Sequence, residues 1–305
     1  MSAPDRPTPP AALIPPEVRA RLAPLRLRMR RPAAAPGYGT HASRHRGAGL
    51  EFAQYRAYEP GDEPRHVDWK LYARSDRFFV REAERESPLT AWLLVDATAS
   101  MAQEDATRPG WSRLDAARVL AACTIELALR QGDRFGLVAI GGDGLQLVPA
   151  GSGPRHRDRC VLALQRLRAQ GAWPPPERLR AVWEAIAADT LVLALGDFLD
   201  EPASALCERL AAARREVLAV QLLTVGERDF PFRGGHRFRD PETGEELLGD
   251  AAALRAGFLA RFAAARAALG RRFDAAGIRH ATHVLDEPLD APLRALFGPR
   301  GGAAA

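Results

Sequence analysis

At 305 residues and 47% hydrophobic content, the chain is long enough for one large core with a smaller attached unit. Its formal charge is +5, but residues 1–46 hold nine arginines against Asp5 and Glu17; the arm therefore carries 9 − 2 = +7 and the remainder +5 − 7 = −2, which excludes a basic globular body. Three widely spaced cysteines, no signal-peptide apolar region and no apolar run near ~20 residues lead us to expect a cytoplasmic protein with buried thiols and no membrane insertion.

Residues 1–36 form a Pro/Arg-rich arm that is expected to be flexible. Within it, residues 18–22 suit a helical turn ended by Pro24. Leu25, Leu27 and Met29 then alternate with Arg26, Arg28 and Arg30, which is a strand period with one basic face. Residues 37–90 differ in character. Their aromatics, among them Tyr55, Tyr58, Trp69, Tyr72 and Phe78, are interleaved with charges, and Pro60-Gly61-Asp62 reads as a turn.

From residue 91 strands and helices alternate through to about residue 300. Residues 91–95 are an apolar strand. Ser112 with Asp115 caps a helix that Gly132 ends, and Gly141-Gly142-Asp143-Gly144 joins two strands as a hairpin. Helices are predicted at 155–170, 176–188, 202–213, 251–276 and 289–297, with strands at 191–195, 217–223 and 278–285. Residues 240–245 read as the tip of an inserted hairpin. This alternation predicts an α/β fold of three layers, with a mostly parallel central sheet and one antiparallel edge strand, preceded by a small N-terminal segment.

The most informative stretch is Leu94-Val95-Asp96-Ala97-Thr98-Ala99-Ser100-Met101. An acid and two hydroxyls at every second position leave a buried strand on one side. Leu191 to Leu195, the second fully apolar strand, ends in Gly196-Asp197. In open sheets ligands sit beyond the strands' carboxyl ends, where strand order reverses. Asp96, Thr98, Ser100 and Asp197 are therefore candidate oxygen ligands for a hard cation such as Mg²⁺.

Asp96-x-Thr98-x-Ser100-Met101 with Asp197 resembles the metal-ion-dependent adhesion site of von Willebrand factor type A domains. Upstream, Gly49-Leu50-Glu51-Phe52, Tyr55-Arg56-Ala57-Tyr58-Glu59-Pro60-Gly61-Asp62 and Arg65-His66-Val67-Asp68-Trp69-Lys70 are similar to the signature of an uncharacterised bacterial family, domain of unknown function fifty-eight. That family is commonly encoded beside MoxR-type AAA+ ATPases. The resemblance implies a type A-like interaction module that acts with such an ATPase in assembling or remodelling protein complexes. It further implies that an acidic residue on a client protein completes the cation's coordination. Arg56, Asp62, Arg65, Asp68, Trp69 and Lys70 are the candidate partner-binding residues of the signature. One feature departs from the pattern. The loop that usually adds a threonine reads Gly171-Ala172-Trp173-Pro174-Pro175-Pro176, without a hydroxyl, so the adhesion site is partial and Mg²⁺ binding is expected to be weak.

Catalytic alternatives fare worse. A haloacid-dehalogenase-type, metal-dependent phosphohydrolase would want a second acid at Thr98 and a lysine downstream, yet Lys70 is the only lysine. No Walker A sequence or G-x-S-x-G elbow is present. His41 and His45 sit in a Gly/Arg segment, while His280 and His283 point to opposite faces of a strand. The arginine-rich arm could neutralise phosphates, but no nucleic-acid recognition fold accompanies it. The expectation is a non-enzymatic protein.

Overall fold

The computed structural model describes residues 13–30, 51–60, 62, 64, 67–84, 88–142, 144–239 and 244–298. The chain divides into two compact units. Residues 36–88 form the smaller one, and residues 1–35 with 89–305 the larger. In chain order the elements begin with α1 (Pro16–Arg21), β1 (Glu51–Ala57), α2 (Trp69–Ser75), β2 (Phe79–Glu84) and β3 (Thr90–Ala97). There follow β4 (Glu104–Asp105), β5 (Arg108–Ser112), α3 (Arg113–Gln131), β6 (Arg134–Gly141), β7 (Gly144–Gly151), α4 (Pro154–Arg166), α5 (Arg180–Ala185) and β8 (Leu191–Gly196). The last are α6 (Glu201–Ala212), β9 (Glu216–Leu223), α7 (Val225–Asp229), β10 (Gly235–Arg239), β11 (Glu246–Asp250), α8 (Ala251–Ala275), β12 (Arg279–Val284) and α9 (Ala291–Phe297).

Six strands of the larger unit form one sheet in the order β7-β6-β3-β8-β9-β12. All pairings are parallel except β6 with β7, the hairpin at the edge. The expected three-layer architecture with a single antiparallel edge strand is what forms. Strand alternation explains the layers. Ala91, Leu93, Val95 and Ala97 of β3 face a core shared with α3, α4, α9 and the N-terminal segment. Trp92 and Leu94 face the opposite core, with α6 and Phe273 of α8. Strand order reverses between β3 and β8, the position at which open sheets of this kind bind their ligands.

The arm is not flexible throughout. Ile14, Val18, Leu22, Leu25 and Leu27 are buried in the first core, so within residues 13–30 the expectation of a loose tail is overturned by apolar packing. Nor do residues 25–30 form a strand. Leu27 N–H donates to Gln131 Oε1 at 2.7 Å and Leu27 O accepts from Gln131 Nε2 at 3.1 Å, so a side-chain amide takes the place of a neighbouring strand. The helix expected at 176–188 is split into a 3₁₀ turn, Pro176–Leu179, and the short α5, since three consecutive prolines delay helical hydrogen bonding. The small β4–β5 hairpin is an element the sequence did not suggest.

In the smaller unit β1 and β2 pair antiparallel. Asp68 caps α2, accepting from Lys70 N at 3.0 Å and Leu71 N at 3.1 Å, and also accepts from the Tyr55 hydroxyl at 3.0 Å. Tyr72 stacks on Phe78 with ring centres 4.3 Å apart, and Trp69 sets its edge against both.

Candidate functional site at the carboxyl end of the sheet

Asp96 lies near the end of β3 and holds the loop that follows it. Its Oδ1 accepts from Thr98 N at 2.9 Å and from Thr98 Oγ1 at 2.7 Å. Ser100 Oγ lies 3.1 Å from Thr98 Oγ1. Thr98 gives its one hydroxyl proton to Asp96, so Ser100 is the donor in that contact. A 3₁₀ turn, Ala99–Ala102, then carries the chain away. The three residues expected to converge do so. Asp96 and Thr98 are buried, and Ser100 is half-buried.

Asp197 arrives from β8 next door. Gly196 lets the two strand ends come close, since a Cβ there would stand 3.0 Å from Asp96 Cβ and 3.2 Å from Asp96 Oδ2. Asp197 Oδ1 accepts from Leu199 N at 3.2 Å, and its carbonyl accepts from Gln221 Nε2 at 2.9 Å. Phe198 between them adopts φ of 52°, a left-handed conformation held by the edge of its ring on Phe273.

The sequence did not reveal what meets the charge of Asp197. Arg113, the first residue of α3, donates from Nη1 to Asp197 Oδ2 at 2.7 Å and to the Ser100 carbonyl at 3.2 Å. Its Nη2 pairs with Glu227 Oε1. Both side chains of the Arg113–Asp197 pair are only 4% exposed. Glu227 is fixed in turn, its Oε2 accepting from Thr224 N at 2.8 Å and Thr224 Oγ1 at 3.0 Å at the start of α7. Asp105 adds a further tie, accepting from Val225 N at 2.6 Å. Burial pushes its carboxyl up, but hydrogen bonds from Thr107 and Val225 outweigh that and hold it below the usual carboxylate range. One guanidinium thus links the carboxyl ends of β3, β8 and β9. A cation in the first turn of a helix opposes the helix dipole. That local misfit, directly after a good Ser112 cap, was the available sequence signal for Arg113.

The loop without a threonine closes on the same end of the sheet through its backbone. Ala99 N donates to the Gly171 carbonyl at 2.7 Å and Gln170 N to the Ala97 carbonyl at 3.0 Å. Gly142 and Gly171 approach so closely that a Cβ on Gly142 would fall 2.5 Å from Gly171 Cα.

These residues do not fit a resident divalent cation. Asp197 already faces a fixed guanidinium. At about 4 Å and an effective dielectric of about 20, each unit of added positive charge near it costs on the order of 4 kcal/mol, and a dication twice that. The loop presents a carbonyl engaged by Ala99 and not a free hydroxyl.

Of the signature residues, Asp68 is the α2 cap, and Asp62 closes a turn by accepting from Glu59 N at 2.8 Å. Trp69, 58% exposed, and Lys70 face solvent. Arg65 and the Arg56 side chain lie outside the described residues, as do His41 and His45. Cys123, Cys160 and Cys207 are buried within helices, and burial pushes each thiol up to about 12. Two cavities, of about 370 and 250 Å³, run beside α8 and share Gln221, Arg266 and Leu269 as lining; neither is lined by Asp96, Thr98, Ser100 or Asp197. Among the described residues no helix is long and apolar enough to cross a membrane.

Residues 54–268 match the family model described as "Protein of unknown function DUF58". Uncharacterised proteins of Mycobacterium tuberculosis (Rv1480) and Mycobacterium bovis (Mb1516) are each 29% identical over 276 residues, covering 86% of this chain and 83% of theirs. BatB from Bacteroides thetaiotaomicron is similar in structure at a TM-score of 0.44 and 14% identity, over 68% of this chain and 95% of that one. The VWA domain of SpRpn10 gives 0.41 and 12%, over 68% and 95%. The strand order, the antiparallel edge and the acid-hydroxyl loop at the switch point are those of a von Willebrand factor A-like domain. The chain belongs to the DUF58 family.

Proposed function

We propose that the protein is a non-enzymatic interaction module whose rim at the carboxyl end of the sheet docks a MoxR-type AAA+ ATPase, in the assembly or remodelling of protein complexes. The observation that carries this reading is how the polar groups of the site are spent. Asp96 holds Thr98 and Asp197 holds Arg113, so these carboxylates stiffen a rim instead of standing over a cavity as acid and base. The buried thiols, with pKa values of about 12, supply no nucleophile. Around the rigid base sit exposed side chains that a partner can meet, namely Ala102, Gln103, Leu199 and Asp200. In the smaller unit, Trp69 and Lys70 offer a second contact surface.

The test is binding of the purified full chain to a purified MoxR-type ATPase from the same genome, followed by interferometry. Leu199→Arg and Gln103→Arg should each weaken binding by about tenfold or more, equivalent to about 1.4 kcal/mol. Leu147→Arg, on the edge strand β7, should leave it unchanged. Binding lost equally in all three, or in none, would sink the assignment of the rim.

A further inference from the structure

We infer that Arg113 is the built-in cation of this site: its guanidinium supplies the positive charge between the strand ends, and the native protein takes no divalent metal there. Four observations support this. The Nη1 of Arg113 lies 2.7 Å from Asp197, the acid that closes the candidate ligand set. It also reaches the carbonyl of Ser100, a second member of that set, at 3.2 Å. The group is buried to the same degree as its partner, so solvent does not dilute its charge. It is held from behind by Glu227, which Thr224 fixes through two hydrogen bonds. A planar fork with several donors can bridge a carboxylate, a carbonyl and a second carboxylate in one plane. Arginine also differs from a metal in a way that matters for regulation, because it cannot be chelated away and does not deprotonate in the physiological range.

The inference concerns the same rim as the proposed docking function, but its test reads metal alone, on the isolated protein. Mn²⁺ is titrated into purified full-length chain and free Mn²⁺ is followed by electron paramagnetic resonance. The wild type should show no saturable binding that Asp96→Asn removes. Arg113→Gln, which frees Asp197, should acquire a saturable Mn²⁺ site about tenfold or more tighter than any wild-type signal. Asp197→Asn placed on top of it should abolish that site. Arg113→Gln leaves the buried Asp197 and the half-buried Glu227 uncompensated, so Arg113→Gln/Glu227→Gln, which removes one acid with the cation, carries the same test if the single variant does not fold. Saturable Mn²⁺ binding by the wild type that Asp96→Asn abolishes would overturn the inference. So would either Arg113→Gln variant if it folds and gains no binding.

Discussion

The buried pair between Arg113 and Asp197 makes a quantitative demand on stability. Both side chains are 4% exposed and meet at 2.7 Å, so neither charge has water to fall back on. Truncating one partner of such a pair costs about 3–5 kcal/mol, chiefly because the other is left buried and uncompensated. Arg113→Met strands two carboxylates, Asp197 and Glu227, and belongs at the upper end of that range. Asp197→Asn keeps the shape and still leaves the guanidinium facing Glu227, so it belongs at the lower end. The double variant should cost less than the sum of the singles, with a coupling of about 1–3 kcal/mol. For a unit of this size, 3–5 kcal/mol corresponds to a fall in Tm of roughly 6–20 °C. Urea unfolding of the four proteins, followed by far-ultraviolet circular dichroism, gives the cycle directly. Arg180 and Glu184 make a solvent-exposed pair at 2.8 Å and serve as a control whose loss should move the midpoint little. Additive single costs, or an Arg113→Met cost under about 1 kcal/mol, would show that the guanidinium is not anchored in a dry site.

Two further outcomes follow from other parts of the larger unit. His283 is fully buried, and burial holds its pKa at about 4 against an ordinary 6.5, although Glu287 and Asp286 pull upward. The unfolded chain takes up a proton below pH 6.5 and the folded chain does not until about pH 4, so stability is present above 6.5 and is lost as pH falls through that window. Unfolding free energies from urea titrations at pH 7 and pH 5 should differ by roughly 2 kcal/mol from this residue, and His283→Leu should remove that share; an unchanged difference would refute it. Leu22, 1% exposed in the N-terminal segment, should cost about 2–5 kcal/mol when cut to alanine, and a cost near zero would mean that the segment is dispensable for the core.

Much of this architecture was legible before any coordinates. Periodicity and caps are local properties, so Ser112, Gly132 and the glycine hairpin marked α3 and the β6–β7 pair correctly. The apolar strands ending in Asp96 and Asp197 also announced the switch point. What stayed hidden was non-local. Gln131 standing in for a strand beside Leu27 depends on a contact across 104 positions. The Arg113 ion cluster depends on three strand ends meeting in space. Asp68, a candidate partner-binding residue of the signature, also caps α2 by accepting from Lys70 N and Leu71 N, a local role that the signature did not announce.

The same cluster imposes a timetable on synthesis. Arg113 leaves the ribosome 84 residues ahead of Asp197, and Glu227 comes later still. At about 5–20 residues per second the guanidinium waits roughly 4–17 s for its first counter-charge. Through that interval β3 and α3 are a pair whose shared end carries an unmatched cation. They are free to remain hydrated there, and unsuited to sealing against an apolar neighbour. The carboxyl end of β3 therefore cannot close before β8 is made, and a chain truncated before residue 197 advertises its incompleteness as a bare positive charge.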